Sequence, residues 1–192
     1  MASRLTYAII AVIVISLVII AGMKFYQSKT LDAGATSYVL EDLRAKHPDA
    51  DSIQIMDWET KANDQGEQYL RIRASVSEGS KTPCPVRIHY FYYYPVQNFV
   101  TEPPEYITSG CKVCEGEGCA IAFDEEAIIA SHTNTGTTSV NKYVTAYKDA
   151  VPTVYRDASG WKVDWKSPSS KYGYMVEVDT NGRILSVNTI YY

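Results

Sequence analysis

The four cysteines are the residues whose type and spacing point most directly to chemistry. Cys84 lies between two prolines, and Cys111, Cys114 and Cys119 form a C-x2-C-x4-C motif in a segment rich in Gly and Glu. Outside the cytoplasm, an even number of cysteines favours disulfide bonds over free thiols. We expect Cys84 to pair with one cysteine of the cluster, and the other two to close a small loop.

Two other uses of the same cysteines stay open. The four thiolates could bind zinc as a cofactor, although zinc sites usually have two C-x2-C pairs and this chain has one. A redox C-x-x-C pair usually begins a helix, where the helix dipole lowers the pKa of a thiol. Here Cys114 is followed by Glu-Gly-Glu-Gly, which disfavours a helix. Disulfides without a cofactor are therefore the leading interpretation, with zinc and thiol-redox sites as alternatives.

The sequence indicates no enzyme. It contains no zinc-protease helix motif, serine-hydrolase elbow, P-loop or dinucleotide-binding glycine motif. We interpret His47 as a helix cap, His89 as a sheet-face residue and His132 as the end of an apolar helix, and the acids 124–126 as a solvated helix start. A Cys–His pair stays open because catalytic partners need not be neighbours in sequence. We predict no catalytic residue, no metal ligand beyond the cysteine alternative and no small-molecule substrate.

Tyrosine is frequent, with 16 residues in 192, and four tyrosines lie close together in one predicted strand. Tyr90, Tyr92, Tyr93 and Tyr94 could form an interaction face, since rigid aromatic side chains are common anchors at interfaces. The alternative, which we favour, is that they are ordinary residues of a sheet core.

The segment Leu5–Met23 contains no charged side chain. As a helix its 19 residues would span ~28 Å, close to the thickness of a bilayer core. We expect a transmembrane anchor with the N-terminus in the cytoplasm and the remaining chain outside. Arg4 precedes the segment and Lys24 and Lys29 follow it, so the flanking charges orient it only weakly. A cleaved signal peptide and a pilin-like structural subunit are the rival interpretations.

The charge of the remaining chain excludes some partners. Three of the 18 basic residues and none of the 22 acidic residues lie in the first thirty positions, so residues 31–192 carry a net charge of −7. Nucleic acids and anionic lipid surfaces both favour basic proteins. We therefore expect a protein partner, no nucleic acid, and membrane contact through Leu5–Met23 alone.

Hydrophobic periodicity predicts an α+β fold in which an antiparallel sheet follows the transmembrane helix and has helices packed on one face. The cleanest strand is at 69–77, where apolar and polar residues alternate. The predicted divisions are a cytoplasmic head at 1–4, the anchor at 5–23, a stalk at 24–35 and one extracytoplasmic domain at 36–192. The predicted helices are 35–47, 123–132 and 140–149, and the predicted strands are 52–60, 69–77, 86–94, 119–123, 153–156, 161–165, 174–179 and 184–191.

Two segments resemble the PepSY domain. One is the helix that ends in Lys-His-Pro-Asp-Ala (46–50), followed by a strand, an acidic turn and Tyr-Leu-Arg-Ile-Arg (69–73). The other is the terminal hairpin 174–187, which contains Val-Glu-Val-Asp-Thr-Asn-Gly-Arg-Ile. PepSY domains are small extracytoplasmic modules, often membrane-tethered, that bind or restrain peptidases. The resemblance covers about a third of the chain and implies a peptidase-associated binding module, while cystatin-like and NTF2-like domains share a similar order of elements.

Overall fold

The chain folds into two antiparallel sheets and three helices within the part that the computed structural model describes, residues 31–96 and 102–192. The order in the first sheet is β1-β2-β3-β4, and the order in the second is β5-β6-β7-β8. The α+β class is therefore confirmed. The helices are α1 (Ala33–Lys46), α2 (Asp124–Thr133) and α3 (Thr138–Ala146). The strands are β1 (Ser52–Ala62), β2 (Gln68–Glu78), β3 (Val86–Tyr94), β4 (Glu105–Thr108), β5 (Val151–Asp157), β6 (Gly160–Lys166), β7 (Tyr172–Val178) and β8 (Ile184–Tyr191).

The prediction of a single sheet was wrong. Strands β1 to β4 and strands β5 to β8 each pair with their neighbours in sequence, but no described pairing joins β4 to β5. Between these two strands the chain forms two helices, and α2 packs against the second sheet. The alternation of apolar residues predicts each strand, but it carries no information about which edges meet.

The two faces of the first sheet differ in polarity. Ile72, Ala74 and Val76 of β2 point to one face and are fully buried, as the alternation predicted. The α1 residues Val39 and Leu43 are also fully buried, and the Tyr92 hydroxyl on the same face as Ile72 donates to the Asp42 carboxylate of that helix. The opposite face contains serines, arginines and a histidine, and it is this polar face that meets the start of α2.

Helix α1 begins earlier than predicted. It starts at Ala33 rather than at residue 35, and its cap is Asp32, whose carboxylate accepts a hydrogen bond from the Ala35 amide at 3.0 Å. No helix in residues 31–96 and 102–192 has the length and hydropathy that a bilayer crossing requires. The predicted anchor Leu5–Met23 lies outside the described residues.

Helix α2 is buried on nearly every side, which the sequence did not indicate. Eight of its ten residues are buried, including Glu125 and Glu126, so the acidic start is not solvated as predicted. One side packs against β5, β6 and β7, while Glu125 reaches the first sheet. Glu126 accepts hydrogen bonds from the backbone amides of Ala122 and Phe123, at 2.8 and 3.0 Å, and so caps its own helix.

The strand predicted at 119–123 does not form. This segment instead lies beside the β7–β8 turn and makes isolated bonds with it, such as that from the Ile121 amide to the Thr180 carbonyl at 2.8 Å. The strand that does form between β3 and α2 is β4, which pairs with β3. The Cys114–Cys119 disulfide and the positive φ angles of Gly116 and Gly118 turn the chain immediately before this segment.

A hydrophobic core packs α2 and α3 against the second sheet. Its largest member is Trp165, which is fully buried and donates from its indole nitrogen to the Ser131 hydroxyl at 2.8 Å. The Tyr143 hydroxyl of α3 donates to the Tyr172 carbonyl at 2.9 Å. Residues Val39–Tyr192 form one compact unit.

Candidate functional site

A groove of about 880 Å³ lies between the two sheets. Gln54 and Met56 of β1 line one wall, Thr153 and Arg156 of β5 line the other, and the first turn of α2 closes the inner end. In the described chain, β1 pairs only with β2 and β5 only with β6, so each wall is an edge strand. Edge strands carry backbone N–H and C=O groups that have no partner within their own sheet.

A buried ion pair forms the inner end of the groove. The Arg87 Nη1 atom lies 3.2 Å from one carboxylate oxygen of Glu125, and the two side chains are only 12% and 6% exposed. The Ser77 hydroxyl donates to the same carboxylate. Removing two charges from water costs several kcal/mol each, so such a pair seldom stabilises a fold more than apolar residues would. Its position at a groove is therefore better explained by binding than by stability.

Arg87 is held in place by aromatic and histidine neighbours. Its guanidinium lies 4.0 Å from the centre of the Phe123 ring, and its Nε atom donates to His89 Nε2 at 3.2 Å. Burial, with the Arg87 charge as a further cause, lowers the pKa of His89, so its ring stays neutral beside the guanidinium. Among the residues that the structure describes, the Nη2 atom has only a weak acceptor, the Met56 sulfur at 3.9 Å. This nitrogen can therefore donate to a ligand oxygen in the groove.

The groove is basic although the domain is acidic. Its charged lining consists of three basic and two acidic side chains, with Arg87 and Glu125 compensating each other. Lys81 and Arg156 then outnumber Asp124. The Arg156 guanidinium lies 4.6 Å from the centre of a Trp161 ring, which orients it at the wall. A ligand segment with an acidic side chain matches this lining.

The cysteines form two disulfides, as predicted. Cys84 pairs with Cys111, and Cys114 pairs with Cys119 to close a small loop. The first bond ties the chain that precedes β3 to the loop that follows β4. Near it lies His132, whose Nε2 atom is 3.5 Å from the Cys111 sulfur.

His132 is the histidine that the fold brings to a cysteine. It is 4% exposed, and its Nδ1 atom lies 2.9 Å from the Ile128 carbonyl oxygen. Burial lowers the pKa of His132, so the ring is neutral near pH 7. The two sulfurs of Cys84 and Cys111 and a ring nitrogen of His132 lie within 4.8 Å of one another. This set differs from the four cysteines that the sequence suggested as zinc ligands.

The four tyrosines of β3 lie on both faces of the sheet. Tyr90 and Tyr92 point to the face of α1, where the Tyr90 hydroxyl lies 2.7 Å from His47 Nε2. Tyr93 points to the opposite face, and its hydroxyl donates to Glu102. Tyr94 lies on the Tyr92 side and is partly buried. An interaction role for these tyrosines stays a prediction, but one strand cannot present all four on a single surface.

Sequence reasoning missed the residues that define the groove. Arg87 and Glu125 are 38 positions apart, and no local pattern connects an arginine of a strand with the first turn of a helix. The available signal was the alternation in β3, which places Arg87 and His89 on the same face as Ser77 of a neighbouring strand. His89 is buried there.

No family model matches the sequence, and no curated protein or solved structure is significantly similar to it.

Proposed function

We propose that the chain is a membrane-anchored binding module whose domain, residues 36–192, lies outside the cytoplasm and binds an extended segment of a partner protein. Leu5–Met23 would anchor it, and residues 24–35 would form the stalk. The two disulfides support a location outside the reducing cytoplasm. The PepSY resemblance supports a peptidase as the partner.

The groove between β1 and β5 is the observation that carries this proposal. An extended peptide can add to an exposed strand edge through main-chain hydrogen bonds, with side chains selected by the surrounding pockets. Pro152 removes one donor from β5 and a bulge at Met56 interrupts β1, so only a short stretch of each edge can pair. A short, reversible contact of this kind suits regulation of a partner.

Charge selects the sequence of the bound segment. The groove has an excess of basic side chains, although residues 31–192 carry a net charge of −7. An acidic side chain of the peptide would contact Arg156 at the wall or the Nη2 atom of Arg87 at the inner end. We therefore propose a segment of alternating apolar and polar residues that includes at least one Asp or Glu.

A random peptide library displayed on phage tests this directly, with full-length protein in detergent as the target. We expect enrichment of acidic peptides in an extended pattern, and a decrease in affinity of at least tenfold for Arg156→Glu, measured by fluorescence anisotropy. The matched control is Arg183→Glu, which makes the same charge change on an exposed residue of the β7–β8 turn and should leave binding unchanged. Equal losses in both variants, or enriched peptides without acidic residues, would contradict the proposal.

Membrane anchoring has its own test. Full-length protein expressed in cells should remain in the membrane pellet after alkaline carbonate extraction, and Val14→Arg should release it, because a charge near the middle of the span is costly. Release of the unchanged protein would contradict the anchor and leave the groove proposal standing.

A further inference from the structure

His132 has a ring nitrogen whose lone pair faces the Cys84–Cys111 disulfide. A carbonyl oxygen can only accept a hydrogen bond, so the contact between Nδ1 and the Ile128 carbonyl places the ring proton on Nδ1. Nε2 is then an acceptor, and its neighbour is the Cys111 sulfur at 3.5 Å. A disulfide sulfur has no proton to donate. The tautomer and the orientation are those of a metal-binding histidine held by a backbone carbonyl.

The distances suit a metal ion once the disulfide is open. In a tetrahedral zinc site with Zn–S of about 2.3 Å and Zn–N of about 2.0 Å, a sulfur and a nitrogen ligand lie roughly 3.5 Å apart. Cys111 and His132 already have this separation. All three ligand atoms lie within 4.8 Å of one another, so binding needs only that the two sulfurs move apart.

Cys111 occupies a backbone position that ordinarily favours glycine. Gly110 and Cys111 have φ angles of 65° and 58°, and Ser109 bridges to Lys112 across them, so they form the centre of a tight turn. Two positive φ angles in such a turn usually select Asn, Asp or Gly. A non-glycine residue in this conformation has a strained backbone. Residues with such strain tend to cluster at functional sites.

Solvent and small molecules can reach the sulfurs. Cys84 is exposed, and a cavity of about 380 Å³ lies beside it and His132, lined also by Asn141 and Lys148. This cavity leaves room for a reductant to attack Cys84 and for water as a fourth ligand. The Cys114–Cys119 disulfide differs, because Cys119 is buried and neither cysteine belongs to the group of Cys84, Cys111 and His132, the described residues whose spacing could hold a metal ion.

We propose that Cys84, Cys111 and His132 form a redox-gated zinc site. A dithiol reduces the Cys84–Cys111 bond, giving two thiols while the dithiol becomes a disulfide. A zinc ion then binds the two sulfurs and His132 Nε2, and both thiol protons pass to solvent. Two thiolates and a neutral imidazole give the bound Zn²⁺ no net charge. Oxidation of the thiols by a disulfide releases the ion. This proposal is independent of the groove.

Cobalt(II) alone is the probe, since it replaces zinc and reports tetrahedral thiolate coordination by its visible and charge-transfer absorption. Full-length protein in detergent is reduced with a phosphine, desalted and titrated with Co²⁺, and near-UV circular dichroism checks that the fold persists. We expect tetrahedral cobalt bands in the reduced protein, none in the oxidised protein, and displacement of Co²⁺ by Zn²⁺.

Two variants separate this site from nonspecific thiol binding. His132→Asn keeps an amide donor for the Ile128 carbonyl but lacks Nε2, and should weaken Co²⁺ binding at least tenfold. Replacing both Cys114 and Cys119 by Ser removes the other disulfide and should leave the bands unchanged. Absence of bands in the reduced protein, unchanged affinity in His132→Asn, dependence on Cys114 and Cys119, or loss of the fold on reduction would each overturn the proposal.

Discussion

The polar face of the first sheet and the core on the second sheet contain different kinds of interaction. The polar face of the first sheet contains ion pairs, such as Arg71 with Glu102 and Arg87 with Glu125. The second sheet packs Trp161, Trp165 and several valines against α2 and α3. Ion pairs depend on pH and salt, and packing depends on volume and shape. The polar face of the first sheet should therefore respond to solution conditions, and the packed core of the second should respond less. The ion pairs of the second sheet, which Lys162 makes with Asp157 and Glu177, lie on exposed side chains.

Trp165→Ala gives the largest expected effect and tests the packing side of the comparison. Its side chain is fully buried, and truncation of a buried Trp typically costs 3–5 kcal/mol, so we expect a loss of about 4 kcal/mol. Urea unfolding of the full-length protein in detergent measures it. Ser131→Ala removes the hydrogen bond from the indole and the one that the Ser131 hydroxyl donates to the Ile128 carbonyl, and should cost about 2 kcal/mol. If the loss of unfolding free energy in Trp165→Ala changed with salt, the contrast between a packed core and a face of ion pairs would be wrong.

Glu125→Ala gives the next largest effect and tests the first sheet. It leaves the Arg87 guanidinium buried without its partner, and removal of one member of such a pair costs about 3 kcal/mol or more. Arg87→Met combined with Glu125→Leu removes both charges and should recover most of this loss. If the double variant is as unstable as the single one, the stability of this region depends on packing around Phe123 rather than on charge.

The regular elements were predictable because each one has a local periodic pattern. The strand at 86–94 was predicted with the bounds that β3 has, and the alternation of β2 identified its buried residues. The sequence also predicted that Cys84 pairs with one cysteine of the cluster while the other two close a small loop, but which cysteine Cys84 takes, Cys111, was known only from the structure.

The site was not predictable because its contacts join distant segments. Burial of Glu125 depends on a second sheet that encloses α2, and the sequence near Glu125 is the same as that of a solvated helix start. His132 was placed correctly at the end of an apolar helix, but its distance from Cys111 depends on how helix α2 packs against the turn that contains Cys111. Alternation along a strand assigns faces, and it does not assign neighbours across 20 or more residues.

Lowering the pH should weaken the contact of Arg71 with Glu102 on the first sheet. Hydrogen bonds from Arg71 and then Tyr93 lower the pKa of Glu102 to about 2, from an ordinary value of 4.5. A carboxyl with a lowered pKa stabilises the folded state above pH 4.5, and this contribution is lost as the pH falls towards 2. Glu102 is 37% exposed, so solvent screening limits the effect to about 1 kcal/mol.

Glu102→Gln measures that contribution by its difference in unfolding free energy from the unchanged protein. The difference should be largest near pH 6 and should disappear near pH 2. The difference for Ser131→Ala, in the helix α2 that packs on the second sheet, should stay constant over the same range. A pH-independent difference at Glu102 would mean that the side chain acts through packing.

The smallest expected effect concerns Arg73, which pairs with Asp57 on the exposed part of the first sheet. Both side chains are more than a third exposed, and surface pairs of this kind contribute about 0–1 kcal/mol. Arg73→Ala should therefore cost about 0.5 kcal/mol at low salt in urea unfolding, and less at high salt. Glu125→Ala should keep its cost at high salt, because buried charges are screened much less. If both losses responded equally to salt, burial would not distinguish the ion pair of the groove from that of the surface.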